Sequence, residues 1–147
     1  MKQGIIIGGI AVVVIGVGIL LSIQDTKNNK QAGDNSDNLA IQGQEIENLG
    51  SEHIQTGAEH KPYNSNPPTS GPHYFQPAEW GVYDKELPDE QLVHNLEHGG
   101  IWISYKDIDE ETLEQLKLIG KSNPGSVVLV PRLANETKIA LASWTRL

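Results

Sequence analysis

The sequence predicts a small single α+β domain, with a short, mainly antiparallel sheet and two helices, preceded by one N-terminal transmembrane helix. Three observations carry this reading. Gly4 to Ile23 is an uncharged run rich in Ile and Val, and the stretch after it is polar and almost free of large apolar side chains. The remaining chain, about a hundred residues, is a size that folds as one domain. It alternates helical and strand patterns bounded by Pro, Gly, Asn and Asp.

The run Gly4 to Ile23 matches the roughly 20 apolar residues that cross a bilayer core as a helix. A cleavable signal peptide has an apolar region of only about 7 to 15 residues before a small-x-small site. The only such pair here is Gly16-x-Gly18, with no A-x-A site after it, so residues 1–23 read as an uncleaved signal anchor. The short positive lead at Lys2 places residues 24–147 outside the cytoplasm at the cell membrane, although Lys27 and Lys30 beyond the span reduce the charge asymmetry. Residues 24–44 are rich in Asn, Asp, Gly, Ser and Lys, bury too little surface to offset the entropy of ordering, and read as a flexible polar linker.

Residues 45–147 form the expected extracytoplasmic α+β domain. Pro88-Asp89-Glu90 opens a helix, with Pro in the first turn and carboxylates at the positive end of the dipole, and Gly99-Gly100 closes it. Ile101 to Tyr105 has the β-branched and aromatic content of a strand. Asp109 is the N-cap of a second helix running to about Ile119, with Ile108 and Leu113 as a hydrophobic staple and Gly120 as the stop. Asn123-Pro124-Gly125 marks a turn, followed by strands at Ser126 to Val130 and Lys138 to Trp144.

Composition narrows the function. Beyond the anchor, ten basic residues face nineteen acidic ones, a formal charge of −9, which argues against nucleic acid or an anionic lipid surface as partner. Cysteine is absent and Met occurs only at position 1, so neither disulfides nor soft sulfur ligands are available.

The chain has five histidines, and two of them lie four apart in His94-Asn95-Leu96-Glu97-His98. On a helix both imidazoles share a face one turn apart and can grip one metal ion, while Leu92 and Leu96 fall on the opposite, anchoring side. Glu97 lies off the face shared by His94 and His98, which favours a hydrogen bond to an imidazole over direct coordination. The order H-x-x-E-H is also that of inverzincin hydrolases, in which the Glu activates water. Here Glu110, Glu111 and Glu114 come too soon to supply the third ligand, and the domain is small for such an enzyme.

Tyr63 to Tyr74 contains Pro67, Pro68, Gly71 and Pro72, which exclude helix and central strand and predict a stiff, shaped loop ending at His73. Ser70 in that loop lacks the G-x-S-x-G elbow of a nucleophile, so turn chemistry explains it better. Seven of the eight aromatic residues lie between Tyr63 and Tyr105, either as a core beneath the loop or as the wall of a pocket.

The PPTSGPH segment ending at His73, Trp80-Gly81-Val82-Tyr83 and Val93-His94-Asn95-Leu96-Glu97-His98-Gly99-Gly100 together resemble the DUF3105 family over about residues 50–147. That resemblance implies a membrane-anchored bacterial or archaeal protein with one small domain outside the cytoplasm. It implies motif positions at His53, His73, His94, Glu97 and His98, and gives no support to His60. Imidazole ligands suit zinc or cupric copper. The expectation is that His73, His94 and His98 share one ion, with His53 as fourth ligand. The alternatives are a non-catalytic protein-interaction module of the cell envelope, with an envelope protein as partner, or a metal-dependent hydrolase in which Glu97 is the catalytic base.

Overall fold

The computed structural model describes residues 42–147. The expected anchor at 1–23, and the linker as far as residue 41, lie outside the described residues. Among the described residues no helix is long and apolar enough to cross a membrane. Gln44, at the end of the expected linker, exchanges two backbone hydrogen bonds with Leu147, at 2.7 and 3.0 Å, so the two ends of the domain are tied together.

The elements run β1 (His53–Ile54), β2 (His73–Tyr74), β3 (Gly81–Val82), α1 (Asp89–Glu97), β4 (Ile101–Tyr105), α2 (Glu110–Ser122), β5 (Val127–Pro131) and β6 (Ile139–Ala142). β1 and β2 form a parallel pair of their own. The other four form a sheet in the order β3-β5-β4-β6. In that sheet β5 is parallel to both β3 and β4, and only β4 with β6 is antiparallel. The sheet is therefore mixed rather than mainly antiparallel. The reason is α2, which carries the chain back along the sheet between β4 and β5, the connection that parallel neighbours require.

Side-chain alternation along β4 and β5 divides the core in two. Trp102, Val128 and Val130 join Leu92 and Leu96 of α1 on one face. Ile103, Val127 and Leu129 join Leu116 of α2 on the other. Both faces of the central strands are covered, which is why Val127 to Val130 is apolar without interruption.

Both helices start where the sequence places them. α1 follows Pro88, with Asp89 and Glu90 in its first turn, and Asp109 caps α2 by accepting from the Thr112 N–H at 2.8 Å. Gly120 does not stop α2, which runs on to Ser122. Gly120 is buried instead, and a Cβ there would sit 2.9 Å from Val82 Cγ2. The glycine permits close approach of helix to sheet.

Arg132, which the sequence reading passed over, ties distant segments together. Its guanidinium is bidentate to Asp89 of α1 at 2.8 and 2.7 Å, donates to Asn66 and Asn135, and lies over the Trp102 ring. The proline-rich loop is thereby fastened to the start of α1.

Candidate metal centre

The centre is assembled from three short pieces of chain. The parallel bridge between β1 and β2 sets His53 directly beside His73. β2 packs on α1, which brings in His94 and Glu97, with His98 as the residue that caps the helix.

Each piece is held by specific contacts. The loop before β2 is locked as the His73 N–H donates to Glu52 O and the Gly71 N–H donates to Gly50 O, both at 2.8 Å. The Tyr63 hydroxyl donates to Pro72 O at 2.5 Å. Burial, followed by the nearby Glu90 and Asp89 carboxylates, pushes the Tyr63 phenol up, so it remains a donor. Ser70 is fully buried and its hydroxyl accepts from the Leu49 N–H at 3.0 Å, a structural role through a long-range tether rather than the local turn bond the sequence suggests. Gly71 has φ +114°, a conformation suited to glycine, and a Cβ there would meet the Tyr63 ring at 3.2 Å.

The end of α1 is equally well fixed. The Gly99 N–H donates to Leu96 O at 2.9 Å and the Gly100 N–H to Asn95 O at 3.0 Å, the paired bonds of a Schellman ending, with Gly99 at φ +80°. Asn95 is buried and grips Ala78 through both its N–H and its C=O, each at 2.9 Å. Within one helical turn, then, His94 and Glu97 face the centre, Leu96 anchors the core and Asn95 pins the incoming loop.

His53, His73 and His94 present ring nitrogens that all lie within 4.8 Å of one another, and these three residues could hold a metal ion. His73 is fully buried, His94 is 6% exposed, and His53 lies at the surface. His98 is exposed at the helix end, and its Nε2 lies 2.9 Å from His94 Nε2. It stands next to His94 rather than among the converging three. His60 lies apart, bonded to Glu90 at 3.2 Å and tilted against the Tyr63 ring, with ring centroids 4.8 Å apart.

Hydrogen-bond bookkeeping gives the cluster its chemistry. His73 Nδ1 lies 2.7 Å from the Gly71 carbonyl, and His94 Nδ1 lies 2.6 Å from the Tyr74 carbonyl. A carbonyl only accepts, so both Nδ1 atoms carry hydrogen and the neutral rings present a lone pair at Nε2. A backbone carbonyl holding one ring nitrogen while the other is left for a metal is the usual support of a ligating histidine.

His73 Nε2 lies 3.1 Å from Glu97 Oε2, and the same oxygen lies 3.7 Å from His53 Nε2. A lone pair against a carboxylate oxygen is repulsive unless a positive charge, a proton or a metal ion, lies between them. With ligand bonds of about 2.0 to 2.2 Å, donors 3.1 Å apart subtend roughly 100° at a shared ion, an acceptable angle for zinc.

Glu97 makes the hydrogen bond to an imidazole that the sequence expectation favours, but its partner is His73 rather than a histidine of its own helix. It does lie off the face that His94 and His98 share, but that flank of α1 is where β1 and β2 pack, and the carboxylate reaches their histidines. Partial burial pushes its carboxyl up. The Ser51 hydroxyl, followed by His73 and His53, more than offsets this and holds it below the usual carboxylate range.

The aromatic residues divide between the two readings. Trp102 is core, with Trp80 and Tyr83 packed against it. Phe75 is 53% exposed and stacks on His53 with ring centroids 5.2 Å apart, and Trp144, outside the Tyr63 to Tyr105 group, meets His73 edge-on. Two of the better-formed cavities lie elsewhere. One of about 260 Å³ runs between Ile101, Leu141 and Leu147, and one of about 550 Å³ between Glu52, His60 and Pro72. No member of the cluster lines either of them.

The sequence reading missed the Gly71 and Tyr74 carbonyls and Ser51, and weighed Phe75 only as one of the clustered aromatic residues. Only Gly71 left a signal, as a glycine inside a proline-rich turn two residues before a histidine.

The family profile described as "Protein of unknown function (DUF3105)" matches residues 53–147, and the chain belongs to that family. No curated protein and no solved structure matches it.

Proposed function

We propose that this domain binds a transition-metal ion, Zn(II) or Cu(II), through Nε2 of His73 and His94 together with His53, and that Glu97 supplies a carboxylate donor. The observation that carries the reading is the pair of Nδ1 bonds to backbone carbonyls. They leave Nε2 of two buried imidazoles for a metal, beside the Glu97 carboxylate and within a set of three histidines whose ring nitrogens lie within 4.8 Å of one another. Three imidazoles and a carboxylate, without sulfur, suit a borderline divalent ion.

Carriage or storage of the ion is favoured over hydrolysis. Glu97 is drawn onto the histidines rather than standing free as a base, and the cluster does not line either of the cavities described above. The uncharged run Gly4 to Ile23 supports a location at the cell membrane with the domain outside the cytoplasm, where an envelope protein would be the exchange partner.

The test is metal analysis of the full chain purified without a polyhistidine tag. Stoichiometric zinc or copper is expected, lost in His73→Ala. A wild-type chain without metal after incubation with either ion would contradict the proposal and leave the protein-interaction module in its place.

A further inference from the structure

His94 belongs to two groups at once. One of its ring nitrogens lies within 4.8 Å of those of His53 and His73, and its Nε2 lies 2.9 Å from Nε2 of the exposed His98. At metal–nitrogen distances of about 2.0 to 2.1 Å, nitrogens 2.9 Å apart subtend roughly 90° at a common ion, so His94 and His98 are also placed to chelate. Their ring planes are only 17° apart, with ring centroids 4.8 Å apart.

An imidazole nitrogen has one lone pair, so His94 Nε2 serves one ion at a time. The outer pair and the inner set are therefore alternatives that share a ligand.

The side chains are held accordingly. His73 and His94 are clamped through Nδ1. Among the described residues, the His98 side chain makes no hydrogen bond except the one to His94. Its backbone is fixed by the Gly99 and Gly100 bonds, so the exposed ring can turn without disturbing the helix.

We propose that His94 and His98 form an outer capture position through which a divalent ion enters and leaves the inner His53, His73, His94 and Glu97 set. This rests on the metal-binding reading above. A group that lies on the path in both directions changes both rates equally and leaves the equilibrium nearly unmoved.

The experiment is stopped-flow loading of the full chain with zinc chloride, followed by extraction with a chromogenic chelator, for wild type, His98→Ala, His98→Gln and His73→Ala. Removing a second tethered donor at capture slows loading and extraction by about tenfold or more in both His98 variants. Equilibrium affinity falls by less than the roughly tenfold typical of losing even an outer partner of a ligand. Unchanged rates would overturn the proposal. So would an affinity loss as deep as that of His73→Ala, which would make His98 a resident ligand. A wild-type chain that binds no zinc would instead remove the metal-binding reading itself.

Discussion

Asn95→Ala tests how the segment leading into α1 is held. The Asn95 side chain is 1% exposed and makes two hydrogen bonds to Ala78, donating to its carbonyl and accepting from its N–H, each at 2.9 Å. Ala78 is itself buried, so truncation leaves both backbone groups without a partner. Each orphaned buried group costs about 1 to 3 kcal/mol, which puts the pair near 3 kcal/mol once partial access of water to the vacated space is allowed. A domain of this size has about 5 to 15 kcal/mol in all. At about 4 to 8 °C per kcal/mol, the melting temperature should fall by roughly 12 to 24 °C. Urea denaturation followed by circular dichroism on the full chain gives the first quantity, and thermal denaturation the second. Asn95→Asp should also be destabilised, because it keeps the acceptor for the Ala78 N–H but faces the Ala78 carbonyl with a second acceptor. A loss below about 1 kcal/mol for Asn95→Ala would refute the reasoning, since two buried backbone groups cannot lose their partners that cheaply.

Three further outcomes are expected. Gly71→Ala forces a side chain into φ +114° and against the Tyr63 ring, and should cost about 2 kcal/mol. It should also weaken zinc binding by about 10- to 100-fold through the carbonyl that orients His73, as read by chelator competition. Arg132→Met leaves the Asp89 carboxylate without its bidentate partner and should cost about 3 kcal/mol in urea denaturation. Glu97 titrates below the usual range in the folded protein. Its contribution is therefore complete above the unfolded carboxyl value of about 4.3 and is lost as the pH falls through the lower folded value. Wild type should lose stability more steeply than Glu97→Gln below about pH 4, and equal acid slopes would remove the charge interactions assigned to Glu97.

What could be read from the sequence was local. Asp109 and its acidic first turn, Ile101 to Tyr105, and the glycine pair after His98 each act within a few residues, and each is found in place. Strand direction is a tertiary property, and the sequence reading made the sheet mainly antiparallel. The unbroken apolar run Val127 to Val130 was the available sign of a strand covered on both faces and so of parallel pairing. Gly120 shows a related ambiguity, because a glycine that ends a helix and one that lets a helix approach a sheet look alike until the partner, Val82, is known.

At the site, the four-residue spacing of His94 and His98 was visible. The adjacency of His53 and His73 was not, because it depends on a two-residue parallel bridge between segments twenty residues apart in sequence. The carbonyl clamps on His73 and His94 leave no trace in residue type, since every residue carries a carbonyl. Glu97 was weighed only against the histidines of its own helix, whereas its partners came from the neighbouring strands.

X-ray absorption spectroscopy at the zinc edge of the loaded full chain tests the central claim most directly. The account predicts a shell of light donors at about 2.0 to 2.1 Å, with outer-shell scattering that fits three imidazoles and one carboxylate oxygen and loses an imidazole in His73→Ala. A shell of oxygens with one imidazole or none, unchanged by His73→Ala, would contradict it.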